Sequence, residues 1–230
     1  MIRFMGIKER YRRVIEYFSD RIPLPQTELE YKDPFGLLVA VMLSAQCTDK
    51  RVNMITPALL KGFPDAASMA NAGEKDVYEL IKSCSYPNSK TKNLIKMAKM
   101  LMEKFGGKVP DTPEMLQQLP GVGRKSANVV ASVLFRRPVI AVDTHVFRVS
   151  LRLGLAVNAK TPLEVERQLE KNISPEMRYK AHHWLILHGR YTCRARKPLC
   201  GECGLTEICK YFKNLKLQQV KSFYPKINTK

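Results

Sequence analysis

Residues 119 to 145, LPGVGRKSANVVASVLFRRPVIAVDTH, constrain this chain more than any other stretch. They open on a glycine turn, Leu119-Pro120-Gly121-Val122-Gly123. The basic pair Arg124-Lys125 follows, then an apolar helical run from Ala127 to Phe135. The stretch ends on Asp143-Thr144-His145, after the apolar segment Val139-Ile140-Ala141-Val142. Glycines two apart let the backbone turn tightly and leave its amides unshielded. A helix starting at about Arg124 adds its unpaired N–H groups and the positive end of its dipole. A phosphate diester fits such an end. The preceding Thr112–Leu119 reads as a short helix with Pro113 in its first turn. Helix, glycine turn, helix is a hairpin that can grip one DNA strand by its backbone, which positions a protein without reading sequence. An ordinary glycine-rich helix connection has the same pattern, so the hairpin alone leaves both readings open.

The charge balance bears on that choice. Lys and Arg number 39 against 21 Asp and Glu, a net charge of +18. So much charge of one sign implies a polyanionic partner, nucleic acid before an acidic membrane surface. No run of 18 apolar residues is present, which excludes a transmembrane helix. Met1–Ile7 has neither a long apolar core nor a small-residue cleavage site, so no secretory signal is expected. Glu9, Glu16 and Asp20 interrupt the basic face that a transit peptide needs. The default compartment is therefore the cytosol, where the six cysteines stay reduced and serve as metal ligands or free thiols.

At 230 residues and 45% hydrophobic, the chain has material for one large or two modest helical domains. Residues 7–18 form an amphipathic helix with Val14, Ile15 and Phe18 on its apolar side and Tyr11 and Tyr17 at the margins, ended by Pro23-Leu24-Pro25. Asp33-Pro34 caps a second helix, Phe35 to about Ser44, which is apolar all round and should be the buried centre of its domain. It runs out at Ser44-Ala45-Gln46-Cys47-Thr48-Asp49, a change of polarity that marks a site edge; Cys47 reads as a small buried hydrophobe and Cys84 as a buried thiol. Further helices are expected at about 49–61, 65–70, 74–82 and 89–105. The last carries Leu94, Ile95, Met97, Ala98, Leu101, Met102 and Phe105 at helical spacing, with its methionines as core filler. Beyond Asp143 come helices at about 144–153, 162–171 and 175–187. Adjacent helical residues point about 100° apart, so His182 and His183 belong to packing rather than to a shared metal.

Two groups of residues carry chemistry. Lys125 at a helix start is ordinarily a phosphate contact, and Asp143 is ordinarily the cap of the helix after it. Together they suggest an amine nucleophile with a carboxylate partner. Cys193, Cys200, Cys203 and Cys209 stand as C-x6-C-x2-C-x5-C. Four thiolates so close can hold tetrahedral zinc or an iron–sulfur cluster; zinc ribbons usually pair two short knuckles, and the long gaps here favour iron–sulfur. Arg194, Arg196 and Lys197 lie between the first two cysteines and suit phosphate contacts on a rigid loop.

These motifs resemble the helix-hairpin-helix glycosylase superfamily, and within it the endonuclease III family. That family's hairpin has the form LPGVGRKTA and its later motif is VDTH. Here they stand as Leu119–Ala127, with Ser126 for the Thr, and Val142–His145. The resemblance covers nearly the whole chain. It implies an all-α, two-domain helix-hairpin-helix glycosylase fold with a C-terminal [4Fe–4S] cluster on the four cysteines. It also implies a helical bundle domain over 27–137 with the hairpin at about 112–136, a cluster domain made of 1–26 plus 138–213, and a basic tail over 214–230. The active site would lie in the cleft between the domains.

The implied function is a bifunctional DNA glycosylase and apurinic/apyrimidinic (AP) lyase of base excision repair. It acts on oxidised or ring-saturated pyrimidines and AP sites in duplex DNA, as a monomer, in the cytoplasm and on the nucleoid of a prokaryotic cell. Lys125 takes the place of the catalytic lysine, which attacks the sugar C1′ of an extruded base and passes through a Schiff base to β-elimination. Asp143 takes the place of the catalytic aspartate, for proton transfer and stabilisation of cationic charge. Gly121, Gly123 and Arg124 would meet the DNA backbone. Gln46 matches the glutamine that enters the gap left by the base. The family's Leu-Tyr-Asn-Ser-Lys segment is Tyr86-Pro87-Asn88-Ser89-Lys90 here, which puts Tyr86 at the wedge position with Asn88 beside it; an aromatic ring can still stack on bases. Two other readings remain: a monofunctional adenine glycosylase, against which Lys125 and the end at residue 230 argue, and a non-catalytic helix-hairpin-helix DNA-binding protein.

Overall fold

The computed structural model describes residues 5–223. Lys226 and Lys230 of the basic tail, and the first four residues, lie outside the described residues. The described residues fold into α-helices, with no strand among them. In chain order they are α1 (Ile7–Arg21), α2 (Pro34–Leu43), α3 (Asp49–Gly62), α4 (Ala66–Ala70), α5 (Glu74–Ile81), α6 (Pro87–Phe105), α7 (Pro113–Leu116), α8 (Arg124–Phe135), α9 (Thr144–Leu153), α10 (Pro162–Asn172), α11 (Pro175–Tyr191) and α12 (Lys210–Phe223). A single 3-10 turn spans Cys200–Glu202. The starts are chemically explicit. Asp33, Thr48, Asp65, Thr112, Asp143 and Thr161 each accept a hydrogen bond from a first-turn amide, and Pro opens α2, α6, α7, α10 and α11.

The chain divides into two compact units, Thr27–Ala141 and Met1–Gln26 with Val142–Lys230. In the first, α2 is the centre: every residue from Phe35 to Leu43 is buried, and α3, α6 and α8 pack around it. A helix without a polar face is stable only when wrapped in this way. The second unit is built on α9, which packs against α10, α11 and α12. Its core includes Trp184, whose Nε1 donates to the Ile22 carbonyl at 2.7 Å and whose ring stacks on Phe18.

Several expectations need correction. Helix α1 runs to Arg21, because Ile22 still donates to the Phe18 carbonyl. Its buried face is Tyr11, Val14 and Phe18, with Ile15 only half-buried. Tyr11 is inside because its hydroxyl finds a partner, donating to the Leu155 carbonyl at 2.8 Å. Met102 is exposed and Phe105 half-buried, so only part of the apolar register of α6 reaches the core. Cys47 is half-buried rather than buried. The start of the expected tail is helical: α12 continues to Phe223.

Candidate functional site

The hairpin lies wholly in the unit Thr27–Ala141. Thr112 caps α7, accepting from Met115 N at 3.3 Å. The chain then turns through Gly121, whose φ of 81° is left-handed and whose missing side chain matters, since a Cβ there would stand 2.8 Å from Cβ of Asn93. Gly123 opens α8 from extended backbone with no side-chain cap and open space where a Cβ would be. Six other helix starts are closed by Asp or Thr; this one has no side-chain cap, the kind of helix end that suits an outside acceptor. Arg124 and Lys125 are exposed on that first turn, while Ala127, Asn128, Val130 and Ala131 bury the other face. Asn128 Nδ2 donates to the Ile140 carbonyl at 3.5 Å, tying α8 to the extended segment that follows.

A second cluster of candidates sits in the same unit. Gln46 and Tyr86 are both exposed, and both hold the left-handed conformation, with φ of 55° and 56°. Non-glycine residues stay there only when their surroundings over-determine them. Here the surroundings are a shared polar frame. Ser85 Oγ donates to the Gln46 carbonyl at 2.7 Å, and Lys90 Nζ donates to the carbonyls of Leu43 and Ala45, each at 2.7 Å. Lys90 also donates to Cys84 Sγ at 3.3 Å, and Cys84 Sγ donates to the Leu43 carbonyl at 3.4 Å. A buried ammonium at the C-terminus of α2 suits the negative end of that helix. Asn88 is exposed in the first turn of α6. Lys90 closes the Tyr86–Lys90 motif, but motif reading gives it no role. Its signal is its register: it stands four residues before Leu94, on the apolar stripe of α6.

Asp143 belongs to the other unit. It is the cap of α9, Oδ1 accepting from Val146 N at 2.8 Å. The carboxylate is half-buried, and Oδ2 has no partner among the described residues. Capping fixes the side chain and leaves one oxygen for another task. The helix behind it is firmly seated: a Cβ on Gly189 of α11 would come within 2.8 Å of Cβ of His145, and Arg148 Nη2 donates to the Gly189 carbonyl at 2.8 Å.

The far end of α9 meets the cysteine loop. Arg152 Nη1 donates to the Arg194 carbonyl at 2.7 Å and to Cys193 Sγ at 3.5 Å, and Nη2 donates to the Ala195 carbonyl at 3.0 Å. Arg148 Nε donates to the Cys193 carbonyl at 3.1 Å. These arginines turn the backbone of the loop and leave Arg194, Arg196 and Lys197 exposed, with Lys197 left-handed at φ 51°. Sequence spacing shows Arg148 and Arg152 as an i,i+4 pair but gives no sign that their partners are carbonyls.

Cys193, Cys200, Cys203 and Cys209 are free thiols lining one small cavity with His188 and Phe212. Burial pushes the Cys200, Cys203 and Cys209 thiols up, and the charge of Cys193 would push each further the same way. Four thiolates in one buried cavity need a cationic core, so the donor set fits an iron–sulfur cluster. His188, buried against Phe18 with Nε2 3.8 Å from Cys203 Sγ, is lowered by burial to about 4. It is a neutral wall of the cavity. His182 and His183 are buried, their rings packed 5.0 Å apart.

No described helix is long and apolar enough to cross a membrane. Residues 39–175 match the HhH-GPD superfamily of base excision DNA repair proteins, and residues 193–209 match the iron-sulfur binding domain of endonuclease III. Endonuclease III of Rickettsia conorii is 48% identical over 204 residues, covering 89% of this chain and 97% of the relative. That of Escherichia coli K12 is 45% identical over 204 residues, covering 89% and 96%. A solved structure of a trapped endonuclease III–DNA covalent intermediate superposes with a TM-score of 0.87 at 40% identity, covering 92% of this chain and 100% of the other. With its uncapped hairpin helix, its capping aspartate and its thiol-lined cavity, the chain belongs to the endonuclease III family of the HhH-GPD superfamily.

Proposed function

We propose that Lys125 and Asp143 carry the reaction of a bifunctional DNA glycosylase and AP lyase that removes oxidised or ring-saturated pyrimidines from duplex DNA. The observation that carries this reading is Lys125 itself: an exposed amine on the first turn of a helix that no side chain caps, after a glycine turn. A phosphate gripped by the Gly121–Arg124 backbone brings the neighbouring sugar to that amine. The base leaves the stack first, since the chemistry is at C1′. Gln46, held by its frame, fills the gap, and Tyr86 stacks beside it, with Asn88 at the rim. The Lys125 amine attacks C1′, the base departs, and the resulting imine allows β-elimination on the 3′ side. Asp143, fixed through Oδ1, uses Oδ2 to accept and return protons and to balance developing positive charge.

The division of labour assigns the hairpin, about 112–136, to a DNA-gripping domain over 27–137. The cluster belongs to a domain of 1–26 plus 138–213, and 214–230 add a basic extension. Cys193, Cys200, Cys203 and Cys209 would hold the [4Fe–4S] cluster, which when bound supplies the cationic core that joins four thiolates and stiffens the loop. Arg194, Arg196 and Lys197 on that loop contact phosphates. The setting that suits this work is the cytoplasm of a prokaryotic cell, on the nucleoid, with the protein acting as a monomer. The solved relative trapped as a covalent DNA intermediate supports the imine route.

One assay tests the reading. An imine is reduced by borohydride to a stable amine, so holoprotein, damaged duplex and borohydride should give a protein–DNA adduct that maps to Lys125. Lys125→Gln should bind damaged DNA yet form no adduct and make no cut. Asp143→Asn, nearly isosteric, should lose much of the excision rate with the cluster retained. Base release without an adduct would mean a simple glycosylase, and binding alone a non-catalytic module. Undiminished trapping by Lys125→Gln would show that another amine is the nucleophile.

A further inference from the structure

Outside the cluster loop two cysteines remain, Cys47 and Cys84, both free. They come from different connections, α2–α3 and α5–α6, and the fold brings them together. The Gln46 carbonyl accepts from Ser85 Oγ at 2.7 Å. Cys47 follows Gln46 and Cys84 precedes Ser85, so the two cysteines flank that bond. The neighbouring Cys47 thiol adds to the burial that pushes the Cys84 thiol up. Their surroundings differ. Cys47 is half-buried and reaches solvent; Cys84 is buried, donating to the Leu43 carbonyl at 3.4 Å and accepting from Lys90 Nζ at 3.3 Å.

We infer that Cys47 and Cys84 form a reversible disulfide that staples the Gln46 turn to the Tyr86 loop and so makes lesion binding sensitive to the thiol–disulfide balance. The binding half of this inference rests on the reading of Gln46 and Tyr86 as DNA contacts; the disulfide half does not. The oxidant is a low-molecular-weight disulfide such as glutathione disulfide. The Cys47 thiolate attacks one of its sulfurs, forms a mixed disulfide and expels one glutathione thiolate. Cys84 then attacks the Cys47 sulfur, the protein disulfide forms, and the second glutathione leaves. Two protein thiols are oxidised, one external disulfide is reduced to two thiols, and the two protons leave with them. The order follows from access. Cys47 can meet the reagent. Cys84, kept a thiol by burial, waits for a partner on the other side of the Ser85–Gln46 bond.

The consequence is mechanical. Gln46 and Tyr86 sit on two separate turns, both in left-handed backbone, and only hydrogen bonds join them: Ser85 to the Gln46 carbonyl, Cys84 to the Leu43 carbonyl, and Lys90 to the carbonyls of Leu43 and Ala45. A covalent link added to these bonds denies the turns independent movement when a base leaves the stack between them.

The test uses the full-length holoprotein. It is incubated with glutathione disulfide, the remaining thiols are alkylated, and peptides are mapped by mass spectrometry, with the cluster's visible absorbance followed throughout. The expected product joins the Cys47 and Cys84 peptides, is two hydrogens lighter than the pair of thiols, and is reversed by dithiothreitol with the cluster intact. Cys47→Ala should give no link. Cys47 recovered only as its glutathione adduct, with Cys84 alkylated, would overturn the inference, as would both thiols alkylated. Binding is then compared on a duplex carrying one AP-site analogue. A several-fold loss of affinity on oxidation, restored by dithiothreitol and absent in Cys47→Ala, is expected. Full linkage with unchanged affinity would overturn the regulatory half. Failure of Gln46→Ala and Tyr86→Ala to alter lesion binding in the reduced protein would instead count against the DNA-contact reading.

Discussion

Two turns of this protein, one in each unit, are held by the same device. Lys90 donates to the carbonyls of Leu43 and Ala45 and to the sulfur of Cys84. Arg152 donates to the carbonyls of Arg194 and Ala195 and to the sulfur of Cys193. Each cation thus gathers two carbonyls and one thiol, and each leaves candidate DNA contacts exposed beyond them. The difference is what stands behind the cation. Lys90 is buried with 8% exposure, and two neutral groups supplement it at the Gln46 turn, the Ser85 hydroxyl and the Cys84 thiol. Arg152 is half-exposed, is seconded by Arg148, and serves a loop that also carries the four cysteines proposed as cluster ligands. The Gln46 turn therefore depends on one charged side chain. The cysteine loop depends on a cofactor first and on its arginines second.

Removing the cofactor should accordingly have the largest effect. Purified protein should be yellow-brown with about four irons per chain. Cys200→Ser should lose iron and open residues 193–209 to proteolysis and hydrogen exchange, with the unit Thr27–Ala141 still protected. Zinc in place of iron in protein purified anaerobically from iron-replete cells would overturn the cluster assignment.

Next comes Lys90→Met, which keeps the stem and deletes the ammonium. The carbonyls of Leu43 and Ala45 lose a charged donor, and Leu43 is fully buried. Part of the cost returns because a charge no longer needs burying. A net loss of roughly 2–4 kcal/mol in urea unfolding is expected. Lesion affinity should fall as well, since the Gln46 turn loses its frame. Arg152→Met should cost less, about 1–2 kcal/mol without the cluster and less with it. Equal losses for the two variants in holoprotein would break the contrast between them.

The same contrast explains what could be read from the amino-acid sequence. The all-helical fold was legible from capping residues and from apolar periodicity: Asp33-Pro34 ahead of an unbroken apolar run announces a wrapped helix, and α2 is one. The iron–sulfur domain was legible because its ligands recur at set intervals on one short loop. The clamps were not. Lys90 and Arg152 act on backbone carbonyls, which every residue has, so no partner residue type betrays them. Tyr11 hid similarly, since its burial depends on a carbonyl contributed by Leu155, distant in the chain. The half-burial of Cys47 follows from how a turn is held, and that also lies outside periodicity.

The smallest effect expected concerns the exposed cations that the cysteine loop presents. Arg196 does not hold that loop: the backbone on either side is fixed by Arg152 through Arg194 and Ala195 and by the Leu199 amide donating to the Thr192 carbonyl at 2.9 Å. Arg196→Ala should leave iron content and unfolding unchanged within about 0.5 kcal/mol, the usual range for a surface substitution. Its effect should be confined to DNA. Each phosphate neutralised by the protein contributes roughly −0.9 to the slope of log affinity against log salt, so losing one contact should flatten that slope by about one. Lesion preference should stay as it was, because a phosphate contact carries no base information. An unchanged slope would remove Arg196 from the interface, whereas a changed slope accompanied by iron loss would show that the loop and its side chains cannot be separated.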